Sequence, residues 1–445
     1  MKIKLIAPHE KSETTIHSDE TFKIHKLALP LLAALTPPEH EVKIVDESFA
    51  PDDLCDDADL VGITVMTDLV LSAYHLANLY RERGAMVVLG GIHPTVLPDE
   101  ALQYADSIVV GEAEQIWPQL VSDAASGMLA KVYRAGRLTN LKGMPYPRRD
   151  LYPSPIEKGY TPVAYTLETS RGCVHDCEFC SITKVMGRGY RKREVSDVIA
   201  DIETIDSTHL FFVDDAFGLH RSFVKKLLEE MIPLRKIWVG QGIISLAEDM
   251  ELLRLMRRSG CIGFLIGFES VQAETQKQMG KLRNSAIDFS EAVHRFHDEG
   301  IPIMGAFVFG FDHEDKDVFD QTIEFIMKHK VEYLQFRILV PFPGTRLYSR
   351  LLKEGRLFAT KWWLDGYSTD TLLFRPRGMS ADDLLEGFAR LNREIFSYSA
   401  IVKRFFGMSP WKRTALGCRI YGGYNIATRK RYLQSLSTPQ PLVDL

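Results

Sequence analysis

Short segments rich in β-branched residues alternate with helical patterns in two runs along the chain, and a proline-rich tract separates the runs. In the first run, strands are predicted at 2–7, 41–45, 59–65, 85–90 and 106–110. Apolar residues three and four apart predict helices between them, at 26–35, 69–83 and 112–125. Strands joined by helical crossovers form a parallel sheet, so this run predicts a Rossmann-like, doubly wound domain.

The second run begins after the tract MPYPRRDLYPSP, whose prolines exclude a continuous helix or strand. Six further strands, each followed by a helical segment, are predicted at 163–168, 209–213, 236–241, 262–268, 303–310 and 333–340. These units predict a partial (β/α)6 barrel with its site at the carboxyl ends of the strands, and hence an α/β fold class. The predicted bounds are 1–125 for the first domain, 126–160 for the linker, 161–355 for the barrel and 356–445 for a C-terminal helical domain.

The composition of the 445 residues is that of a globular protein, with 45% hydrophobic and 25% charged residues. A net charge of −5 gives no general reason to expect a nucleic-acid partner. No apolar run is long enough to span a bilayer and no secretory signal is recognisable, so a cytoplasmic location is predicted. The stretch 412–431 is basic and aromatic, which fits either a solvated face or a peripheral membrane contact.

Three of the six cysteines, Cys173, Cys177 and Cys180, lie within eight residues in the segment SRGCVHDCEFCSI, directly after the first barrel strand. Three thiolates on one tight loop can bind three irons of an iron–sulfur cube and leave the fourth iron open for catalysis. Zinc is the alternative, but it requires a fourth ligand nearby, and His175 would compete with the geometry of the loop. Cys261, which precedes an apolar strand, is predicted to be a packed thiol.

The Cys-x3-Cys-x-aromatic-Cys pattern, with Phe179 as the aromatic residue, resembles the signature of the radical S-adenosylmethionine (SAM) superfamily. The resemblance covers about residues 160 to 345 and coincides with the six strand–helix units. It implies a 4Fe–4S cluster held by the three cysteines, with SAM chelated to the open iron and in contact with Phe179. It further implies cleavage of SAM to a 5′-deoxyadenosyl radical, with the electron supplied by an external donor such as a flavodoxin or ferredoxin.

Polar residues at the ends of the barrel strands are similar to family positions that contact SAM. Asp214 and Asp215 follow the second strand, where family members bind the methionine part, although Asp215 could instead cap the next helix. Gln241, Ser245 and Glu269 end the third and fourth strands and resemble positions that reach the ribose or the methionine end. Polar residues at strand ends are also common in any barrel.

The segment GGIHPTVLPDEALQYADSIVVGEAE at 90–114 resembles the cobalamin (B12)-binding domain of one radical SAM subgroup. Gly90 and Gly91 end a strand without side chains, which lets a flat cofactor or a nucleotide tail approach the backbone. Thr64 and Thr67, at the end of the neighbouring strand, could hydrogen-bond that tail. An ordinary tight turn in a Rossmann-like domain is the alternative.

One departure from the subgroup concerns the lower ligand of cobalt. The chain lacks the Asp-x-His-x-x-Gly pattern that ligates cobalt in some cobalamin domains, and neither His9 nor His17 has its flanking residues. Many members of the subgroup lack the pattern, so its loss is compatible both with bound cobalamin and with a domain that has lost the cofactor.

Together these features predict a radical enzyme with two cofactors that methylates an unactivated carbon of a small molecule or lipid. One SAM would generate the radical, another would methylate cobalamin, and the substrate radical would capture the methyl group. Two alternatives stay open: radical chemistry without methyl transfer, such as ring formation, carbon–carbon coupling or oxidative rearrangement, and a non-catalytic iron–sulfur electron carrier or sensor. In the tail, Trp362, Trp363, Tyr367 and Phe374 fit an apolar or aromatic ligand, but packing onto the barrel explains them equally.

Overall fold

The computed structural model describes residues 1–9, 24–49, 57–136, 140–152, 164–279, 288–406 and 415–437. The strands of its first domain are β1 (Lys2–Ala7), β2 (Glu41–Asp46), β3 (Leu60–Thr64), β4 (Met86–Gly90), β5 (Ser107–Val110) and β6 (Val132–Arg134). Its helices are α1 (Ala28–Leu35), α2 (Val70–Glu82), α3 (Ile92–Val96), α4 (Pro98–Ala101) and α5 (Trp117–Ala125). All strands are parallel, in the order β2-β1-β3-β4-β5-β6.

This first sheet confirms the doubly wound prediction, and β6 adds a sixth strand within the range predicted as linker. Both faces are buried, because alternate residues of each strand enter different core layers, as Leu5 and Ile6 of β1 do. Gly62 of β3 has no room for a side chain: a Cβ there would lie 3.0 Å from Leu5 and 3.2 Å from Trp117. The glycine therefore lets the tryptophan of α5 pack directly on the sheet.

The barrel contains a second sheet of six parallel strands, as predicted. In chain order the strands of this region are β7 (Tyr165–Leu167), β8 (Ser170–Arg171), β9 (Arg191–Lys192), β10 (His209–Phe212), β11 (Ile237–Gly242), β12 (Cys261–Glu269), β13 (Ile303–Phe309) and β14 (Tyr333–Ile338). The barrel order is β14-β13-β12-β11-β10-β7, while β8 and β9 form a separate antiparallel ribbon. The helices are α6 (Ile182–Val185), α7 (Val195–Glu203), α8 (Arg221–Met231), α9 (Met250–Arg258), α10 (Ala273–Gln278), α11 (Phe289–Asp298), α12 (Val318–His329) and α13 (Arg346–Lys353).

The C-terminal part is helical, with α14 (Ala381–Ile395), α15 (Tyr398–Phe405) and α16 (Ala415–Ser437). Ahead of these helices, Trp362 and Trp363 are 0% and 3% exposed and belong to a core cluster of the first domain, whereas Phe374 is buried in the barrel core. These three aromatic residues therefore pack the tail against the two domains, while Tyr367 is partly exposed beside the same cluster as the tryptophans. No helix in the described part of the chain has both the length and the apolar character needed to cross a membrane.

The carboxyl ends of the two sheets face each other, since loops that leave both edges are in contact. Gly344, which follows β14, lies so close to α3 that a Cβ there would be 3.0 Å from Val96. Arg171 of β8 donates from Nη1 to Glu112 Oε1, just beyond β5, at 3.1 Å. Ligands of parallel α/β sheets bind at this edge, so the fold places both predicted cofactor regions at one interface.

An aromatic cage encloses His25 where the first domain, the linker and the barrel meet. Its ring stacks on Tyr152 with centroids 4.2 Å apart and lies 5.1 Å from Phe49 and 5.0 Å from Tyr165. Neither ring nitrogen has a hydrogen-bond partner among the described residues. Burial, and secondarily the charge of Arg149, lowers the pKa of His25 from 6.5 to about 4.

The free energy of unfolding is therefore expected to fall as the pH drops from 6.5 towards 4. In this window the unfolded chain binds a proton at His25 and the folded chain does not, so acid favours unfolding by up to about 3 kcal/mol. His25→Phe keeps the aromatic contacts and removes the titrating group, so its stability should depend less on pH. Urea unfolding of both proteins across the window tests this, and identical pH profiles would contradict it.

Candidate active site

A loop that begins after β8 and ends at β9 carries the three cysteines, and the paired strands close its base. Arg171 of β8 stands opposite Arg191 of β9 in antiparallel register. Just inside the base, Gly172 has a φ of +84°, and a Cβ there would lie 2.3 Å from the carbonyl oxygen of Gly189. Only glycine permits this approach, so the Arg-Gly-Cys sequence is what allows the loop to close.

The three cysteines lie on this one loop with different exposure. Cys177 is buried at 8% exposure, while Cys173 and Cys180 are partly exposed. The backbone of Cys173 forms a bridge with Arg188 across the loop, and the Cys180 N–H donates to the Cys177 carbonyl at 3.2 Å.

Within the described part of the chain, no three His, Cys, Asp or Glu side chains converge closely enough to hold a single metal ion. A cube does not require such convergence, because each thiolate binds a different iron, and three thiols on one closed loop fit it.

Two carboxylates, those of Asp215 and Glu269, lie near Cys180. Burial raises the pKa of the Cys180 thiol, and the nearby charges of Cys173, Asp215 and Glu269 raise it further. Asp215 Oδ2 also accepts from the Gly172 N–H at 2.7 Å, so it fixes the start of the loop. Glu269 ends β12 at a register shift with a φ of +60°, a strained conformation for a residue with a side chain. The structure thus brings two predicted SAM residues close to the third cysteine.

Asp214 supports the loop from below and is 1% exposed. It accepts from the backbone N–H of Thr169 at 3.1 Å and from the hydroxyls of Thr169 and Ser170. Burial raises its pKa to about 7 in spite of these hydrogen bonds. The alternative that Asp215 caps the following helix is wrong, because α8 is capped by His220, whose Nδ1 accepts from the helix.

The other predicted SAM residues take supporting positions around this loop. Gln241, in β11, donates from Nε2 to the Asp214 carbonyl at 3.1 Å. Ser245 lies in the turn after β11 and is 4% exposed. Phe179 packs edge-on against Phe311 with ring centroids 5.6 Å apart. Their contacts with SAM stay predictions.

The predicted cobalamin residues meet at the carboxyl ends of β3 and β4. Gly91 has a φ of +102°, and a Cβ there would lie 3.1 Å from Thr64 Oγ1. At Gly90 an added Cβ would meet nothing closer than 3.8 Å, so the backbone is open to a flat group. Thr67 is 3% exposed, and its Oγ1 lies 3.3 Å from His93 Nδ1. The residues therefore fit a bound cofactor tail at Gly90, with Thr67 engaged inside the domain. His9 donates its backbone N–H to Glu47, and His17 lies outside the described residues.

Sequence reasoning missed the carboxylate that joins the two cofactor domains. Glu112 is 5% exposed and accepts from Arg171 at 3.1 Å and from Arg191 at 2.6 and 2.9 Å. Arg171 also pairs with Glu114 at 2.5 Å and with Glu168 at 2.7 Å. The string GEAE marks the acidic residues, but nothing in the sequence identifies arginines about sixty and eighty residues away as their partners.

A second missed carboxylate ties the C-terminal part to the first domain. Glu100 Oε1 accepts from Trp363 Nε1 at 2.9 Å and lies 3.2 Å from His93 Nε2. Its other oxygen pairs with Lys361 at 3.2 Å. The tail is thereby held beside the strand ends that carry the predicted cobalamin residues.

Residues 167–326 match the radical SAM superfamily, 19–121 match the B12 binding domain, and 345–414 match a domain of unknown function. The bacteriochlorophyllide d C-12(1)-methyltransferase of Chlorobaculum tepidum is 32% identical, covering 91% of this chain and 90% of that protein. The bacteriochlorophyllide d C-8(2)-methyltransferase of the same organism is 30% identical, with 76% and 78% covered. The solved structure of TsrM from Kitasatospora setae, a radical SAM methyltransferase with cobalamin and a 4Fe–4S cluster bound, covers 98% of both chains with a TM-score of 0.65 and 17% identity.

A Rossmann-like domain that faces a six-stranded partial barrel, with three cysteines on one loop after the first barrel strand, is the arrangement expected of a radical enzyme with a cobalamin-binding domain. The chain belongs to the radical SAM superfamily, in the subgroup that carries a B12-binding domain. The predicted fold class, the enzyme class and the three cofactors, a 4Fe–4S cluster, SAM and cobalamin, are confirmed. C-methylation of a small molecule is the reaction that the relatives support.

Proposed function

We propose that the chain transfers a methyl group to an unactivated carbon on a cyclic tetrapyrrole. The single observation that carries the substrate class is the 32% identity to a bacteriochlorophyllide methyltransferase over 91% of the chain.

Three sets of residues would hold the cofactors under this proposal. Cys173, Cys177 and Cys180 would ligate the cluster. The SAM contacts would come from the residues that surround that loop: Phe179, Asp214, Asp215, Gln241, Ser245 and Glu269. The first domain would hold cobalamin at its strand ends through Thr64, Gly90 and Gly91, with Thr67 supporting this edge from inside the domain beside His93. Asp214 is buried beneath the loop, so its contribution would be to position the loop, while Asp215 and Glu269 stand nearer to Cys180.

When bound, the cofactors supply the radical that activates the substrate carbon and the methyl group that replaces its hydrogen. The chain's own residues position these groups and keep water away from them. Negative charge from Asp215 and Glu269 suits the ammonium group of SAM. Gly172 closes the base of the loop, and burial of Cys177 would shield one of the three thiolates from solvent.

Incubation of the anaerobically reconstituted protein with a bacteriochlorophyllide and methyl-labelled SAM tests the proposal. The expected result is 5′-deoxyadenosine together with a product that carries the labelled methyl group on carbon. A cyclised, coupled or oxidised product without label would instead establish radical chemistry of another kind. Absence of 5′-deoxyadenosine from the reduced, cluster-loaded protein would favour the electron carrier or sensor.

The partners predicted from the sequence belong to the same proposal. Because the radical step consumes one electron, an external donor such as a flavodoxin or ferredoxin would supply it. The basic C-terminal stretch would give the protein a peripheral contact with a membrane, where apolar substrates collect. A cytoplasmic location stays a prediction.

A further inference from the structure

The last two helices carry an unusual share of the exposed apolar surface. Five of the twelve large apolar side chains that are exposed in the described part of the chain lie there. Tyr398 and Val402 on α15 and Phe406, the residue directly after it, recur every four residues, at 63%, 51% and 79% exposure. Ile426 and Leu433, seven residues apart on α16, are 53% and 44% exposed. Each spacing keeps its residues on one side of a helix, and these five residues are named the docking face.

Arg429 of α16 connects the exposed apolar side of α16 with that of α15. Arg429 follows Ile426 by three residues and precedes Leu433 by four, so it shares their side of α16. Its guanidinium lies 4.5 Å from the centre of the Tyr398 ring and donates to the Phe396 carbonyl at 3.0 Å. The exposed side of α16 is therefore continuous with that of α15.

The charged side chains that α15 and α16 themselves carry all have one sign. Residues 395–443 contain eight Lys and Arg and no Asp or Glu, whereas the remainder of the chain has 46 Lys and Arg against 59 Asp and Glu. Lys403, Arg419 and Lys430 are exposed on α15 and α16. Apolar side chains bordered by cations match an anionic bilayer, because the former enter the interface while the latter meet the headgroups. Single exposed apolar residues are common on protein surfaces and do not indicate a binding partner, whereas these five share one face with exposed cations.

We propose that the docking face binds the surface of an anionic membrane, with α15 and α16 lying along it. This inference rests on the proposed membrane contact and is independent of methyl transfer. The helices are anchored to the body of the protein by Arg404, which is fully buried and donates to carbonyls ahead of β14. Binding at this face would hold the enzyme where an apolar substrate can leave the bilayer.

Co-sedimentation with vesicles tests the docking face in the full-length, cofactor-loaded protein. We expect binding to vesicles of phosphatidylglycerol mixed with phosphatidylcholine, much weaker binding to phosphatidylcholine alone, and a decrease with added salt. The double variant Val402→Glu, Ile426→Glu and the double variant Lys403→Glu, Lys430→Glu should each reduce partition by about tenfold or more. All four positions are exposed, so the variants should fold, which circular dichroism checks.

Leu71→Glu on α2 is the matched control, since Leu71 is a comparably exposed apolar residue, at 47%, in another domain. It should bind vesicles as the unaltered protein does. Equal binding to neutral and anionic vesicles, or unchanged binding of both double variants, would overturn the proposal. So would a dimer in sedimentation velocity that the Val402 and Ile426 changes dissociate, because the face would then belong to a second copy of the chain. Each of these results is independent of whether a methylated product forms.

Discussion

Replacing Cys177 by alanine is expected to leave the reconstituted protein without most of its iron and to abolish the formation of 5′-deoxyadenosine from SAM. The proposed cube is attached to the chain by three thiolates, and two cannot hold it in the geometry that leaves the fourth iron to SAM. Cys173→Ala and Cys180→Ala should behave in the same way, because all three residues lie on one closed loop. Iron and sulfide content, the visible spectrum and chromatography of the SAM products measure the effect.

The matched control for these variants is Cys418→Ala, since Cys418 is exposed on α16, outside the loop. It should keep both the iron and the SAM cleavage. Cys261→Ala is a different control: this thiol is buried in the barrel core and burial raises its pKa to about 12, so the variant should lose stability but keep iron. Full iron content in Cys177→Ala would overturn the assignment of the three ligands.

Replacing Glu112 by alanine is expected to lower the free energy of unfolding by about 3 kcal/mol or more and to uncouple SAM cleavage from methyl transfer. The change removes the buried carboxylate that forms ion pairs with Arg171 and Arg191, and both arginines lie at the base of the cysteine loop. The loop would keep its own ribbon but lose an ion-pair link to the first domain. The ratio of methylated product to 5′-deoxyadenosine should therefore fall, while 5′-deoxyadenosine continues to form.

Asp201→Ala provides the comparison for Glu112→Ala. Asp201 is 1% exposed and pairs with Arg149 at 2.6 Å and Arg193 at 2.7 Å, so its loss also leaves buried cations, but neither partner belongs to the first sheet. Both variants should unfold at lower temperature, and only the Glu112 variant should change the product ratio. A similar fall in the ratio for both would assign the effect of Glu112 to general destabilisation. Glu112→Gln, which keeps the shape of the side chain, should be the milder variant.

Several features of the site followed from local sequence because local chemistry specifies them. The strands of both sheets are short runs of β-branched residues, and their boundaries in the structure differ from the predicted ones by a few residues. The cysteine spacing indicated a loop, and Gly172 supplies the backbone conformation that closes it. The roles of Asp214 and Asp215 were harder to predict, because carboxylates after a strand can bind a ligand, cap a helix or hold a loop. Their hydrogen bonds to Thr169, Ser170 and Gly172 depend on how the loop folds back over β10.

The sequence by itself determined the two sheets, the loop that carries the cysteines and the family resemblance, since each depends on residues a few positions apart. Only the tertiary structure decided how the domains are joined: Glu112 with Arg191, Glu100 with Trp363, and the buried tryptophans of the tail against the first domain. Such partners are 79 and 263 residues apart, and no local periodicity records them. These pairs form because a buried carboxylate is costly unless a hydrogen-bond donor is buried beside it. Only the packing of the folded chain can bring such a distant donor to the carboxylate.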